Sequence, residues 1–265
     1  MRNTIDPNGY LFDAGIAGFS YPPLDHNYID SQIDSDVFLN TDFILGDGFY
    51  EHVISHEIGH SLGLAHPFDG FIVNNALDRT VDTVMSYDED YFYPLDPMPI
   101  DIAAIGFLYG QSNPNLQDDD YHWSNYELNN YRFSITDAGG NDSIILDNWN
   151  TGIAVNLEPN SWSAFSTSNY ETTDAWNYEF GQLYINNGTE IENVTATNFS
   201  DTIFDNSTSN AINGLDGDDN IFISGGSNLI DGGSGTDYLN IVGTTTDFTI
   251  VEDGTDIFDY FLINK

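Results

Sequence analysis

Apolar residues in this chain recur with two different periods. Val53, Ile54, Ile58, Leu62 and Leu64 fall at helical spacing, predicting an amphipathic helix that ends near Gly63. Ile102, Ile105 and Leu108 make a second helical stripe, closed by Gly110. Between residues 196 and 240 the period becomes nine. This stretch divides into ATNFSDTIF, DNSTSNAIN, GLDGDDNIF, ISGGSNLID and GGSGTDYLN. Ile203, Ile212, Ile221, Ile230 and Leu239 hold the eighth position of each unit, and Asp201, Asn210, Asp219, Asn228 and Asp237 the sixth. A solvated Asn/Gly loop has no reason to keep an aliphatic residue at every ninth place. Shorter strand-like runs lie at 15–21, 36–40, 144–146 and 154–157.

Charge narrows the possible partners. The formal net charge is −39, from 43 acidic residues against one Lys and three Arg. Such a field repels nucleic acid and anionic membrane, so neither is expected as a partner. The chain needs cations, and two sources are compatible with it: carboxylates that ligate calcium, and an acidic surface suited to salty water. Each calcium offsets only two charges, so both are expected. With 40% apolar and 14% aromatic residues there is material for a packed core. There is no cysteine, hence no disulfide. No apolar run is long enough to cross a membrane, and the opening Met1–Pro7 has no signal-peptide core.

The chemistry concentrates in residues 51–67, EHVISHEIGHSLGLAHP. His56 and His60 lie four apart, hence on one helical face a turn apart, where two imidazoles can reach one metal ion. Gly63 permits a sharp turn that brings His66 round as third ligand. Three neutral imidazoles suit zinc (Zn2+) and leave its fourth position to a water whose pKa falls to about 7. Glu57 is the expected general base for that water and the proton donor to the leaving amine, which is peptide hydrolysis without a covalent intermediate. His52 is expected at the surface or behind the ligands. His26 and His122 carry no motif.

The pattern His-Glu-x-x-His-x-x-Gly-x-x-His, followed by Thr83-Val84-Met85-Ser86-Tyr87, resembles the metzincins with their Met-turn. Met-Ser-Tyr, and Pro67 after the third histidine, resemble the serralysin branch. The resemblance implies that Met85 packs beneath the zinc. It also implies that Tyr87 ligates zinc at rest and swings away to support the oxyanion. Residues 97–110, PMPIDIAAIGFLYG, resemble the closing helix of serralysin catalytic domains. Gly15–Tyr21 and Asp36–Asn40 resemble the last two strands before the active-site helix, one of which pairs with extended substrate. That family has a further helix and several strands earlier, which the 55 residues before His56 cannot hold. The expected fold class is therefore α+β. A metzincin-like domain over 1–112, lacking its N-terminal part, precedes an all-β parallel β-roll and β-sandwich domain over 113–265.

The nonapeptides match the G-G-x-G-x-D-x-U-x repeat of calcium-binding parallel β-rolls. In such a roll six residues turn, three form a strand, and residues eighteen apart stack on one side. Asp201, Asp219 and Asp237 then share one side, and Asn210 and Asn228 the other. Calcium (Ca2+) requires hard, charged oxygens, so the sites are expected on the Asp side. The better one lies between Gly214, Asp216, Gly217 and Asp219 and Gly232, Gly233, Gly235 and Asp237. Phe199, in a glycine position, weakens the first turn. Asp137-Ala138-Gly139-Gly140-Asn141-Asp142 resembles the segment that opens the serralysin C-terminal domain. By that resemblance Asp137, Gly139, Gly140, Asp142 and one of Glu190 and Glu192, with Glu192 the better match, bind structural calcium. Asp118 and Asp120 supply further oxygens or belong to a charged linker. Trp149, Trp162 and Trp176 are read as core, and four glycosylation-like sequons as composition.

The resemblance implies a secreted, extracellular endopeptidase acting on proteins or peptides and exported by type I secretion machinery, whose signal is C-terminal. Here residues 256–265 read as a further strand. The alternative function is a calcium-dependent extracellular scaffold or adhesion module that kept a zinc motif.

Overall fold

In the computed structural model of this 265-residue chain the described residues are 17–21, 23, 35–40, 48–69, 77–88, 92–110, 116–165, 181–242 and 260–264. His26, Trp176, the Met1–Pro7 opening, the Gly15-Ile16 start of the first strand reading and residues 256–259 and 265 lie outside them. The chain divides into two compact units, Met1–Ser112 with Asn130–Phe133, and Asn113–Asn129 with Ser134–Lys265.

In the first unit, strand β1 (Gly18–Ser20) pairs antiparallel with β2 (Val37–Leu39), and Phe19 stacks on Phe38 with ring centroids 4.9 Å apart. Strand β1 presses on helix α1 (Gly48–Ser61): a Cβ on Gly18 would lie 2.9 Å from Glu57 Cγ and 3.1 Å from Val53 Cγ1. Only glycine lets the two backbones come so close. The face that α1 buries is not the expected aliphatic one. Ile58 is 46% exposed, while His52, His56 and Glu57 are buried. The histidine face is turned inward because its ring nitrogens find backbone acceptors there. Strand β3 (Tyr93–Pro94), which runs parallel to Tyr131–Arg132, accepts from His52 Nδ1 through Pro94 O at 2.9 Å.

Helix α2 (Pro99–Tyr109) starts with proline in its first turn, where the missing N–H costs nothing. Its stripe is only partly covered: Leu108 is 52% exposed, and Asp101 is the one residue of the helix that is buried. No helix among the described residues is long and apolar enough to cross a membrane.

The second unit runs through β4 (Asp120–His122), α3 (Asn125–Asn130), β5 (Tyr131–Ile135, whose first residues belong to the first unit), β6 (Ser143–Ile145), β7 (Ala154–Asn156), β8 (Ser161–Ser163) and β9 (Leu183–Ile185). It continues with β10 (Asn193–Thr195), β11 (Thr202–Phe204), β12 (Ala211–Asn213), β13 (Asn220–Ile223), β14 (Leu229–Asp231), β15 (Tyr238–Val242) and β16 (Tyr260–Asn264). From β10 to β15 the chain alternates between two parallel sheets, ordered β14-β12-β10-β6-β4 and β16-β15-β13-β11-β7. The nine-residue period sets this alternation, so neighbours within a sheet are eighteen residues apart: Val194 pairs with Ile212 and Ile212 with Ile230, while Ile203 pairs with Ile221 and Ile221 with Leu239.

Strands β6 and β7, which the sequence places in a sandwich ahead of the repeats, belong to these same sheets, with Ile144 against Val194 and Val155 against Ile203. Strands β8 and β9 form an antiparallel pair there. Ile144, Val155, Ile203 and Ile221 are wholly buried, and Trp149 is 5% exposed. Full burial of one such aliphatic side chain contributes about 1.5–3 kcal/mol. Ile230, near the end of its sheet, is only half-buried. Ile203→Ala should therefore cost about 2–5 kcal/mol in urea denaturation, and Ile230→Ala distinctly less. Equal losses at the two sites would contradict this packing.

Candidate metal centres

Helix α1 carries His56 and His60 one turn apart, and its end is built to deliver the third histidine. Gly63 takes φ +92°, its N–H donates to His60 O at 2.8 Å, and the Leu64 N–H donates to Gly59 O at 3.0 Å. These are the two hydrogen bonds of a Schellman cap, which reverses the chain where the helical carbonyls run out of partners. The reversal brings His66 back over the helix. His66 Nε2 then lies 3.2 Å from His56 Nε2 and 3.1 Å from His60 Nε2.

The other nitrogen of each ring is already engaged. His56 Nδ1 donates to Val84 O at 2.8 Å, His60 Nδ1 to Leu64 O at 2.9 Å, and His66 Nδ1 to Asp69 Oδ2 at 2.7 Å. With Nδ1 engaged in each case, the three Nε2 atoms are left to face one point. Three acceptors at such separations repel unless a cation lies among them. Ligands 2.0–2.1 Å from a tetrahedral zinc stand roughly 3.3–3.4 Å apart, close to what is found here. Burial pushes His56 down to about 4, against the raising effect of its bond to Val84 O, and burial likewise lowers His60. Neutral imidazole, the form that binds metal, is thus favoured. The donor set fits zinc.

Glu57, the residue after the first of these histidines, is 6% exposed, and its Oε2 has no hydrogen-bond partner. Burial raises its carboxyl to about 7, with the Ser20 hydroxyl of β1 acting in the opposite direction. Met85 is 1% exposed, and a Cβ on Gly59 would come within 2.4 Å of its Sδ, so the thioether lies directly under α1. Tyr87 is 63% exposed, its ring stacked on His56 at 5.3 Å and tilted against His66 at 4.6 Å. Phe68 stacks flat on His66, 4.9 Å between centroids, and lies 5.4 Å from the Tyr87 ring. His52, expected at the surface or behind the ligands, is buried on Pro94 O.

Two acids beside this cluster were not singled out by sequence reasoning. Asp69 holds the outer nitrogen of His66 and follows it by three residues, so the spacing alone could have suggested it. Asp101 is 1% exposed; its carboxylate accepts the Thr83 hydroxyl, the Val84 N–H at 2.8 Å and the Met98 N–H at 2.9 Å. It thereby fixes the same Val84 peptide whose carbonyl orients His56. Burial raises its carboxyl, against those three hydrogen bonds.

In the second unit, oxygen donors converge at two places. Asp119, Asp137 and Asp142 bring carboxylate oxygens within 4.8 Å of one another. Asp142 is fully buried; its Oδ1 accepts the Asp119 N–H at 2.8 Å, its own N–H donates to Glu192 Oε2 at 2.8 Å, and its Oδ2 has no partner. A Cβ on Gly140 would lie 2.1 Å from Gln117 O, so the turns touch backbone to backbone. Of the acids expected here, Asp137, Asp142 and Glu192 come together. Asp118 instead accepts the Asn141 N–H, Asp120 is exposed at the start of β4, Glu190 is exposed, and the unforeseen Asp119 takes the inner place.

The second place is the Asp ladder. Asp219 Oδ1 accepts the Asp201 N–H at 2.8 Å, and Asp237 Oδ1 accepts the Asp219 N–H at 3.0 Å. The second oxygen of Asp219 is buried without a hydrogen-bond partner. Gly214 and Gly232 line the gap: a Cβ on Gly214 would meet Asp219 Oδ2 at 2.3 Å and Gly232 O at 2.6 Å. Burial, then the neighbouring Asp201 and Asp237 charges, push Asp219 up to about 8. Gly217, Gly233 and Gly235 hold the positive φ of their turns, and Asp216 is exposed. Buried carboxylate oxygens facing carbonyls fit a hard divalent cation such as calcium.

The three histidines form a group that could hold a metal ion, of a kind found in hydrolytic metalloenzymes. No family model matches the chain. It is nevertheless 30% identical over 208 residues to a serralysin of Photorhabdus laumondii, covering 67% of this chain and 41% of that protein. It is 30% identical to a serralysin of Proteus mirabilis, covering 55% and 30%, and 28% identical to metalloprotease AprA of Pseudomonas entomophila, covering 75% and 46%. The chain is thus similar in sequence to serralysins and a related metalloprotease. It spans less than half the length of each of these relatives.

Two outcomes are expected. Asp101→Ala strands the Val84 and Met98 N–H groups and should cost about 2–4 kcal/mol in chemical denaturation, whereas Asp101→Asn, which keeps an acceptor for them, should cost less than about 1 kcal/mol. Asp69→Ala should weaken zinc binding by about 10–100-fold in competition with a chromophoric chelator, with partial recovery in Asp69→Asn.

Proposed function

We propose that this chain is a zinc-dependent endopeptidase of the serralysin type, stabilised by calcium in a C-terminal parallel β-roll, and that it works outside the cell on proteins or peptides. The observation that carries the reading is the convergence of the Nε2 atoms of His56, His60 and His66.

These three histidines would hold zinc, which supplies a Lewis acid that makes water nucleophilic at neutral pH and polarises a carbonyl. Glu57 takes the proton of the attacking water and delivers it to the leaving amine. Its burial suits that role, because a carboxyl raised to about 7 gives and takes a proton near neutrality. Tyr87, exposed beside His56 and His66, is free to hydrogen-bond the developing oxyanion. Met85 forms the floor, held by the Val84 peptide that Asp101 fixes. Strand β1, pressed against Glu57 through Gly18, is the edge on which an extended peptide would lie.

Calcium belongs in the Asp119–Asp137–Asp142–Glu192 cluster and between the turns 214–219 and 232–237. The unpartnered oxygens of Asp142 and Asp219 support this. A roll whose buried carboxylates need calcium folds where calcium is abundant, which agrees with export through type I machinery and an extracellular place of work.

Hydrolysis of casein by the zinc- and calcium-loaded chain tests the proposal. EDTA should abolish it, and Glu57→Ala should lower kcat by about 10²–10⁴-fold with zinc content unchanged. Zinc bound in full with no turnover would overturn the peptidase reading and favour a calcium-dependent scaffold.

A further inference from the structure

The two edges of the coil are made from one nine-residue unit but satisfy their polar groups in opposite ways. On the Asp edge, Asp219 and Asp237 each spend one carboxylate oxygen on the next turn, and the other oxygen of Asp219 is buried without a hydrogen-bond partner. On the opposite edge, formed by turns 205–210 and 223–228, the corresponding inward groups are amides, and among the described residues none of them is orphaned. Asn210 Nδ2 donates to Ile191 O at 3.1 Å and Glu192 O at 3.3 Å. Asn206 Nδ2 donates to Ile191 O at 2.8 Å and Leu157 O at 3.3 Å. Asn228 Nδ2 donates to Gly225 O and to Asp205 Oδ2, both at 3.0 Å.

The orientation of these amides is set by their oxygens. Asn228 Oδ1 accepts the Asn210 N–H at 3.0 Å, in the same relation as Asp237 to Asp219. Asn210 Oδ1 accepts the Asn206 N–H at 3.3 Å. A flipped amide would set N–H against N–H, so each nitrogen must face the carbonyls. The one carboxylate on this edge, Asp205, is 3% exposed and already accepts from the Ser224 N–H and hydroxyl, the Gly225 N–H and Asn228 Nδ2. It has no lone pair left for a cation.

We propose that the Asn edge of the coil is a metal-free clasp, in which the side-chain amides of Asn206, Asn210 and Asn228 donate to the oxygens that a calcium ion would otherwise gather. Calcium dependence is then confined to the Asp edge and to the Asp119–Asp137–Asp142 cluster. In calcium-poor solution the Asp edge opens while turns 205–210 and 223–228 stay hydrogen-bonded. An amide delivers two directed donors and no net charge, so it satisfies neighbouring carbonyls at any calcium concentration. A carboxylate in that place would add to the charge of Asp205. The inference rests on the reading that the Asp edge binds calcium.

The test is calorimetric titration of calcium into the full, calcium-stripped chain, with thermal unfolding recorded with and without calcium. Asp219→Asn should lower the stoichiometry by about one ion. Asn210→Ala and Asn228→Ala should leave it unchanged while lowering the calcium-free midpoint by about 3–8 °C. Asn228→Asp should gain more thermal stability from calcium than the parent chain does. If either alanine variant loses an ion while Asp219→Asn also loses one, the clasp is refuted and the calcium reading stands. If Asn228→Asp responds to calcium no more than the parent, the equivalence of amide and cation is refuted as well. A parent chain that takes up no calcium refutes both ideas. Should Asn228→Ala fail to fold, the ion count of Asn210→Ala still decides.

Discussion

Lone pairs aimed at one another set the terms for this protein. At the end of α1 three imidazole nitrogens face a common point at 3.1–3.2 Å, and in the second unit buried carboxylate oxygens face carbonyls with no donor between them. Neither arrangement is favourable alone, because an unpaired buried acceptor costs about 1–3 kcal/mol and adjacent acceptors repel. Hydrogen bonds on the far side of each group hold it in place regardless. Val84 O, Leu64 O and Asp69 hold the imidazoles, and the N–H groups of Asp119, Asp201 and Asp219 hold the carboxylates. The backbone does the holding, and the open point is what remains for a cation.

In the first unit this arrangement depends on where the chain reverses. The cap at Gly63 sets how far His66 swings back, and the 83–86 segment sets how His56 is turned. Asp101 ties that segment to the start of α2, so a residue that touches no histidine bears on the position of one. This also explains why α2 buries an acid and leaves Leu108 in solvent: the helix is placed by its first turn rather than by its stripe. On α1, too, hydrogen-bonding demand outweighed hydrophobicity, and the aliphatic face was left half open.

How far the fold was legible in the sequence varies with the kind of signal. The spacing of His56, His60, Gly63 and His66 contained the site almost completely, since local helix geometry and one glycine place all three rings. The period of nine contained the register of β10 to β15, because each strand is only three to five residues long and a slip would turn Ile203 or Ile221 outward. The extension of both sheets back to β7, β6 and β4 was not legible. Ile144 and Val155 stack on the repeats without sharing their period, across insertions that break the count. Asp119 was missed for a related reason. In a run of three aspartates only the register of β4 decides which one faces inward, and that register is set by pairing with β6, far along the chain. Asp101 lay inside a quoted helix, yet a single acid in a first turn looks like ordinary capping until its three donors are seen.

The charge of −39 can be divided on the same grounds. Acids such as Asp216, Asp218 and Glu190 stand in solvent, where diffuse counterions screen them within about 8–10 Å and salt of any kind suffices. Asp142, Asp219 and Asp237 are different: water is excluded from their second oxygens, so screening by bulk salt cannot reach them, and only an ion that sheds its own hydration can. The same contrast appears within one coil, where Asp205 is as buried as the ladder acids but is ringed by N–H and O–H donors. Burial of a carboxylate is therefore not what creates a demand for calcium. What creates it is burial with the donors withheld, and in this chain the donors are withheld at Asp142 and Asp219 and supplied at Asp205.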